Sequence, residues 1–408
     1  MSHPSPHRRR LTLGLFCCLV LTALAAPAGA AAADRYVSTS GSDSNACTAG
    51  APCRSFDRAN RSASPGMTVE VAAGSYGGQS IGNDTSKTST NDVVFQPASG
   101  ANVTLSGLSV PGRHVEVRNM QTGFVNVEGG SSSDITVRNG GGSGIFIGGG
   151  SSQVQILGGS YGAGSPNVAP VKVQGSPAPS DITFDGVIFH DAVRTDPNAH
   201  LECIYAADVQ RLTVRNSQFR NCAIMDLFIT KLSGVNPRDV LIENNFFDKT
   251  GSHASSLSKG YYSLVIANHL NNATNFTVRN NSFAESMSID AGSLSNFKVE
   301  GNVGPLSTCR SGVAYAGNVW TSRSCSSSDR QAPSGFKDVA GYDLHLAAGS
   351  AAIDAMIAGS APAADIDGQT RPAGNGPDSG ADESGGSTTP PPADTTAPAT
   401  TITGGPSG

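Results

Sequence analysis

The sequence predicts an all-β protein, a single-stranded right-handed parallel β-helix, and two observations carry this prediction. Glycine accounts for 49 of 408 residues and charged residues for only 14%, which is typical of short strands joined by tight turns. A motif of β-branched or aromatic residues followed by Asn or Gly also recurs at intervals of 19 to 36 residues. Such repetition indicates a solenoid. The eight copies start at Val115, Ile135, Val154, Ile182, Leu212, Val240, Phe276 and Phe297.

A second short apolar segment lies between successive copies and completes each coil. These segments start at Val125, Ile145, Val171, Cys203, Leu227, Leu264 and Met287. Two or three strands in about 20 residues describe one coil, and we expect nine or ten coils. Stacked coils place equivalent side chains about 4.8 Å apart, so ladders of like residues are expected. Asn216, Asn244 and Asn280 form one predicted ladder, and Phe189, Phe219, Phe247 and Phe283 form another.

The extra residues of the longer coils are predicted to leave the helix at one corner. The distance from the first to the second segment of a coil varies, whereas the distance from the second segment to the next coil stays nearly constant. The insertions are residues 158–170, 190–201 and 248–262. Insertions on one edge of a repeat protein often build its binding face, although simple loop decoration is the alternative.

The amino terminus predicts export. Residues 1–33 contain Arg8, Arg9 and Arg10, an apolar run from Leu11 to Ala25 and a stretch of small residues, as in a signal peptide. Its removal leaves 24 basic and 32 acidic residues, a net charge of −8 with histidine neutral, which argues against a nucleic acid partner. No other segment is apolar enough to span a membrane. We therefore expect a monomer that is secreted or lies at the cell surface.

The six cysteines beyond the signal predict three disulfides between sequence neighbours. The pairs are Cys47 with Cys53, Cys203 with Cys222, and Cys309 with Cys325. Disulfides suit an exported protein, and the absence of CxxC pairs or Cys/His clusters argues against zinc.

Both ends of the predicted solenoid resemble a known family. The opening RYVSTSGSDSNACTAGAPCRSFDRAN with SPGMTVEVAAGSY resembles that of secreted bacterial pectate-lyase-like β-helix proteins, and this implies an N-terminal plug. DLHLAAGSAAIDA with DIDGQTRPAGNGPDSGADE is similar to their C-terminal cap. The β-helix domain is thus expected over residues 34–384. Residues 385–408 form a Pro/Thr-rich linker, whose end resembles the start of an immunoglobulin-like module.

Four aspartates in the predicted cap suggest either a calcium site or a network of turn hydrogen bonds. They are Asp365, Asp367, Asp378 and Asp382. Aspartate side chains are both common calcium ligands and common partners of backbone amides in turns. No cofactor is certain from the sequence, and calcium is the candidate.

The acidic candidates for chemistry are Glu202 and Asp226. Aligning the segments CIY and LFI gives both acids the same position on adjacent coils, one residue before an inward side chain. They are then expected to face outward about 5 Å apart. Such a pair could serve a retaining glycosidase, share a proton or clamp a cation.

A lyase would need a base and a group that neutralises the substrate carboxylate. Lys231 and His200 are the candidate bases, and Arg194 and Lys259 are candidates for binding an acidic sugar. Tyr261 and Tyr262 end the longest insertion and could stack on sugar rings or pack against the helix.

Two functions remain open at this point. The first is a secreted carbohydrate-active protein, a polysaccharide lyase or glycoside hydrolase, acting on an extracellular polysaccharide. The second is a non-catalytic surface, adhesion or polysaccharide-binding module. Motifs of polygalacturonases, serine hydrolases and nucleotide-binding proteins are absent from the sequence. A β-helix alone does not imply catalysis.

Overall fold

A computed structural model describes Met1 and residues 33–232, 234–248, 262–356 and 360–385. The predicted signal peptide, most of the third insertion and the Pro/Thr-rich linker lie outside these residues. No helix in the described ranges is long and apolar enough to cross a membrane.

The described residues form one helix and thirty-three short strands. The helix α1 spans Phe56–Ser62. The strands in chain order are β1 Arg35–Val37, β2 Thr68–Val71, β3 Gly74–Tyr76, β4 Gln79–Ser80, β5 Val93–Pro97, β6 Val103–Leu105, β7 Leu108–Ser109, β8 Arg113–Arg118, β9 Gln121–Thr122, β10 Val125–Val127, β11 Ser133–Gly142, β12 Ile145–Ile147, β13 Ser152–Gly162, β14 Val171–Val173, β15 Ser180–Asp185, β16 Ile188–Ala192 and β17 Glu202–Ala207. They continue with β18 Gln210–Arg215, β19 Gln218–Cys222, β20 Met225–Thr230, β21 Arg238–Glu243, β22 Phe246–Phe247, β23 Tyr262–Ile266, β24 Asn272–Arg279, β25 Ser282–Phe283, β26 Ser286–Ile289, β27 Ser293–Glu300, β28 Val303–Gly304, β29 Val313–Ala316, β30 Val319–Trp320, β31 Arg330–Gln331, β32 Phe336–Asp338 and β33 Asp343–Leu346.

The strands stack in parallel into three faces of a β-helix, which confirms the predicted fold class. The first stack is β1, β2, β5, β8, β11, β13, β15, β18, β21, β24, β27 and β29. The second is β3, β6, β9, β11, β13, β16, β19, β22, β25, β28, β30 and β31, and the third is β4, β7, β10, β12, β14, β17, β20, β23 and β26. The predicted nine or ten coils fit the nine-stranded third stack, whereas the first stack has twelve strands in the described residues.

Alternation of side chains puts the β-branched and aromatic residues of each motif into one continuous core. In β15, for example, Ile182 and Phe184 are fully buried while Thr183 between them faces outward. The asparagine that follows the motif turns the chain, because Asn216, Asn244 and Asn280 all adopt the left-handed conformation (φ 48 to 54°). Asparagine tolerates this conformation better than most residues, which explains its recurrence.

Ladders of like side chains run along the coils. Phe189, Phe219, Phe247 and Phe283 stack with ring centroids 5.0, 4.6 and 4.9 Å apart, as the sequence predicts. The predicted asparagines Asn216, Asn244 and Asn280 also align, and Asn244 Nδ2 donates to Asn216 Oδ1 at 3.4 Å. A second asparagine ladder, with shorter hydrogen bonds, lies one residue later. Asn245 donates to Asn281, Asn281 to Asn302, and Asn302 to Asn318, at 2.9 to 3.0 Å. The turn asparagines look alike in sequence, but the next position is the one that faces the interior.

The N-terminal residues and the disulfides secure the ends and one corner of the solenoid. Ser55 caps α1 by accepting a hydrogen bond from the amide of Arg58, and Phe56 stacks on Phe95 at 5.0 Å. All three predicted disulfides are present. Cys203–Cys222 joins the start of β17 to the end of β19 and thereby ties the third stack to the second.

The C-terminal segment, residues 336–356 and 360–385, packs along the second and first stacks. Its aspartates hold its own turns: Asp365 accepts hydrogen bonds from three backbone amides, Asp378 from two, and Asp382 from that of Leu346. These bonds correspond to the turn network predicted from the sequence. The segment contacts the coils through Asn244, whose amide donates to the carbonyl of Ala364 at 2.7 Å.

We predict that His345 makes the C-terminal segment less stable at alkaline pH. Hydrogen bonds to Asp367 (2.8 Å) and Asp343 (2.5 Å) raise the pKa of His345 to about 9, although partial burial opposes the shift. A raised histidine pKa stabilises the fold fully below its unfolded value of 6.5, and this contribution disappears as pH rises through about 9. The melting temperature of the wild type should therefore fall more between pH 7 and 10 than that of His345→Gln. Equal falls would contradict the prediction.

Candidate functional site

The outward side chains of the third stack form one row along the helix axis. Each strand buries its flanking residues and points its middle residue outward, and the strand register aligns these middle residues. The row reads Asn126, Phe146, Lys172, Tyr205, Phe228 and Val265. Aromatic rings and a cation therefore line a surface that the insertion at residues 190–201 borders.

A groove lies over β17, β20 and β23, between the row and the insertion at residues 190–201. It consists of two joined hollows of about 390 and 750 Å³, which share His200, Phe228, Asn268 and His269. The ring centroids of Tyr205 and Phe228 are 5.8 Å apart on its floor. Apolar rings with a few polar groups above them are characteristic of ligand sites.

His200 stands at the centre of this groove and is held by a buried acid. Its Nδ1 pairs with the Glu202 carboxylate, and its ring packs on Phe228 with centroids 5.0 Å apart. The His200 side chain is 56% exposed, whereas that of Glu202 is 1% exposed. The hydrogen bond to Glu202 raises the pKa of His200, so the imidazole carries more positive charge near neutral pH than a free histidine.

Lys231 lines the larger hollow, directly after β20. It is half-buried, and within the described ranges its ammonium group forms no hydrogen bond or ion pair. Lys231 and His200 line the same hollow. The end of a lysine side chain that no described residue binds is available to a ligand.

The predicted substrate-binding residues divide into two groups, those that line the groove and those outside the described residues. Arg194 and Tyr262 line the smaller hollow. Arg194 is buried and donates to the carbonyls of Asp196 and Pro197, so part of its guanidinium holds the loop that carries His200. Lys259 and Tyr261 lie outside the described residues. The catalytic and binding roles of all these residues stay predictions.

The predicted outward pair of Glu202 and Asp226 is wrong in its geometry. The register pairs Glu202 with Met225 and places Asp226 opposite Cys203, so the sequence alignment was off by one residue. Both acids are also buried, each with 1% exposure. The side chains of β17 that point inward are those of Ile204 and Ala206. The prediction that Cys203 points inward is therefore wrong.

Asp226 lies in different surroundings from Glu202. Its strand partner on the next coil is Ser263, to which it is hydrogen bonded. Burial raises the pKa of Asp226 well above its ordinary value, and the nearby charges of Glu285 and Asp248 add to this effect. Asp226 does not line either hollow of the groove. Asp226 is therefore buried between coils and lies outside the groove.

Two groups of side chains in the described ranges lie close enough together to bind a metal ion, and neither group is in the groove. His345, Asp367 and Asp382 converge within 4.8 Å, as do Asp92, His114 and Asp134. Both ring nitrogens of His345 already bond carboxylates. Among the calcium candidates of the C-terminal segment, Asp365, Asp378 and Asp382 accept hydrogen bonds from backbone amides, and Asp367 pairs with His345. This set of partners fits a turn network better than a cation site.

Three groove residues were missed in the sequence. Tyr205 and Phe228 were not selected as candidates, although their alternation with buried neighbours marks them as outward. His269 lies just beyond β23, where its Nδ1 is 3.4 Å from the hydroxyl of Thr230. In the sequence, His269 could have been recognised from the pair Asn268-His269, which follows the second apolar segment that starts at Leu264. This pair lies at the same end of its coil as Lys231.

Comparisons with known proteins identify the fold. No family model matches the sequence, and no curated protein matches it. The structure is similar to that of pectate lyase Pel9A, with a TM-score of 0.52 and 15% identity over 86% of this chain and 96% of the other. It is less similar to a rhamnogalacturonan lyase (TM-score 0.34, 12% identity, 77% and 95% covered) and to the PL6 family alginate lyase AlyGC (0.33, 12%, 72% and 54%). The chain therefore has a pectate-lyase-like right-handed parallel β-helix fold.

Proposed function

We propose that the protein is an extracellular polysaccharide lyase that cleaves a uronate-containing chain in the groove. One observation carries the proposal: Lys231, which no described residue binds, and His200, held by Glu202, line the same hollow with its aromatic floor. Elimination from an acidic sugar needs a base, a cation for the sugar carboxylate and a flat apolar surface for the ring. The groove supplies all three.

The chemistry expected there is β-elimination. A base removes the proton on the carbon next to the carboxylate, the electron pair forms a carbon–carbon double bond, and the bond to the glycosidic oxygen breaks. That oxygen leaves with a proton, so one product is an unsaturated uronate and the other is an alcohol. We assign the base to Lys231 in its uncharged amine form, since an ammonium cannot accept a proton, and neutralisation of the carboxylate to protonated His200. Glu202 acts through His200 and is a positioning residue.

Hydrolysis by two acids is less well supported. A retaining glycosidase needs two carboxyl groups about 5 to 5.5 Å apart on either side of one bond. Glu202 lies beneath His200, and Asp226 bonds to Ser263 and does not line the groove. The residues of the groove therefore fit a lyase better than a two-acid hydrolase.

The proposed location is outside the cell. Three disulfides suit an oxidising compartment, and the predicted signal peptide directs the chain there. The net charge of −8 predicted after signal removal makes nucleic acid an unsuitable partner.

Incubation of the exported protein with a panel of polysaccharides tests the proposal. The panel contains polygalacturonate, rhamnogalacturonan, alginate and the neutral polymers xylan and arabinan. We expect products that absorb as unsaturated uronates, together with an equal number of new reducing ends, from an acidic polymer only. New reducing ends without unsaturation would indicate a hydrolase. Retention on a polymer without turnover would indicate the non-catalytic binding module.

A further inference from the structure

Three potential metal ligands lie side by side on the first stack, a different face of the solenoid from the one that carries the groove. Asp92 directly precedes β5, His114 is the second residue of β8, and Asp134 is the second residue of β11. The strand register aligns the residue that follows each of them, so the three hold one equivalent position on three successive coils. One ligand atom from each lies within 4.8 Å of those of the other two.

On later coils the same position holds polar side chains that bind one another. The residue there is in the left-handed conformation (φ 49 to 59°) on every strand of the first stack from β8 to β27: His114, Asp134, Gln153, Asp181, Arg211, Asp239, Asn275 and Asn296. Arg211 donates to both carboxylate oxygens of Asp181, at 2.5 and 2.7 Å. Asn275 donates to Asp239 at 2.7 Å. Each of these carboxylates therefore has a donor on the next coil.

The amino-terminal coils differ, because two carboxylates there flank a single donor. Nδ1 of His114 bonds Oδ2 of Asp134 at 2.8 Å. The carboxylate of Asp92 forms no hydrogen bond or ion pair with the described residues, and its Oδ1 is shielded from solvent. Burial raises the pKa of Asp92 to about 6, and the charges of Asp134 and Glu116 add to the shift. A buried carboxylate oxygen without a partner is unfavourable, and a bound cation would relieve that cost.

The three side chains suit a divalent transition metal better than calcium. Calcium takes oxygen ligands, whereas zinc binds imidazole nitrogen and carboxylate oxygen at about 2.0 to 2.2 Å. Two ligand atoms of one zinc ion are thus at most about 4.4 Å apart, a limit that the bonded pair of His114 and Asp134 satisfies. None of the ligands is a cysteine, so the site differs from the cysteine-based zinc sites that the sequence argues against. Asp134 also lines an open hollow of about 560 Å³, which gives an ion access from solvent.

We propose that Asp92, His114 and Asp134 bind one zinc ion, which joins three successive coils of the first stack. Water completes the coordination, since the chain supplies three ligands and zinc takes four. The site does not depend on the proposed function, because it contains no residue of the groove. A ligand that binds only the folded chain stabilises it, so zinc raises the melting temperature.

Titration of the exported protein with zinc chloride, after treatment with a chelator and dialysis, tests the site. We expect calorimetry to show one zinc ion bound per chain and the melting temperature to rise, with calcium chloride producing neither effect. Asp92→Asn and His114→Gln should each weaken zinc binding about tenfold or more, since each removes one of three protein ligands. Asp239→Asn is the matched control, because Asp239 holds the same position on β21 and already accepts a bond from Asn275. It should bind zinc like the wild type.

The metal-free variants separate loss of the site from loss of the fold. Without zinc, Asp92→Asn should melt no lower than the wild type, because the substitution removes a buried charge that has no partner. A wild type that binds no zinc, or unchanged affinity in both ligand variants, would overturn the proposal. So would loss of zinc binding in His345→Gln together with full binding in His114→Gln, since the ion would then lie at the cluster in the C-terminal segment.

Discussion

Replacing Lys231 by methionine is expected to lower the rate of polysaccharide cleavage by about 10²- to 10⁴-fold, the usual contribution of a general base. Methionine keeps most of the length and the apolar character of the lysine stem but cannot accept a proton. Lys231 is half-buried, and its side-chain nitrogen forms no hydrogen bond or ion pair in the described ranges. The melting temperature should therefore hardly change. Changes of this kind at a surface usually cost less than about 0.5 kcal/mol.

Lys231→Arg separates a base from a simple positive charge. Arginine keeps the charge but does not lose its proton in proteins, so it cannot serve as the base. We expect Lys231→Arg to bind the polymer like the wild type and to be nearly as inactive as Lys231→Met. Substantial activity in Lys231→Arg would show that the residue only attracts the substrate, and full activity in Lys231→Met would move the chemistry elsewhere in the groove.

The second large effect is expected at Arg371, in the C-terminal segment. Its side chain is 1% exposed, donates to Glu383 at 3.0 Å and also bonds the carbonyls of Asp378 and Gly380. Arg371→Met leaves the Glu383 carboxylate buried without its counter-charge. Breaking a buried pair in this way costs about 3 to 5 kcal/mol. Urea unfolding should show that loss, while Arg323→Met, an exposed arginine without a bond in the described residues, should be neutral.

The double variant Arg371→Met with Glu383→Gln identifies the cause. If the loss comes from an uncompensated buried charge, removing that charge should restore part of the stability. Failure of the double variant to recover would attribute the loss to the carbonyls of Asp378 and Gly380 instead. No loss at all in Arg371→Met would contradict the contacts described for the C-terminal segment.

The fold could be predicted from the sequence because its signals are local and repeated. An asparagine or glycine in the left-handed conformation follows each apolar motif, and a single wrong copy would not change the period. The predicted site depended on the register between β17 and β20, and the register inferred from the sequence was wrong by one residue. Cys203 looked like an inward side chain, but it forms a disulfide with Cys222, and small Ala206 takes an inward position instead. That shift moved Glu202 and Asp226 away from each other.

Lys231 directly follows β20, whereas His200 precedes β17, so the two residues lie at opposite edges of the parallel third stack. They line one hollow because His200 packs back over Phe228, a contact that no local sequence pattern predicts. Tyr205 and Phe228 were missed because a large aromatic residue in an apolar segment is usually a core residue. Only the alternation of the observed strands shows that they face the groove.

The contacts of the C-terminal segment also bear on the order of folding. Paired residues of the first stack are separated by 16 to 36 positions, so each coil can form on the one already present. The C-terminal segment instead joins residues far apart in sequence: Arg371 bonds Asn244 across 127 positions, and Ala381 bonds Ser282 across 99. Its docking surface exists only after several consecutive coils have assembled. We therefore expect this segment to attach last, so that its attachment reports a completed solenoid.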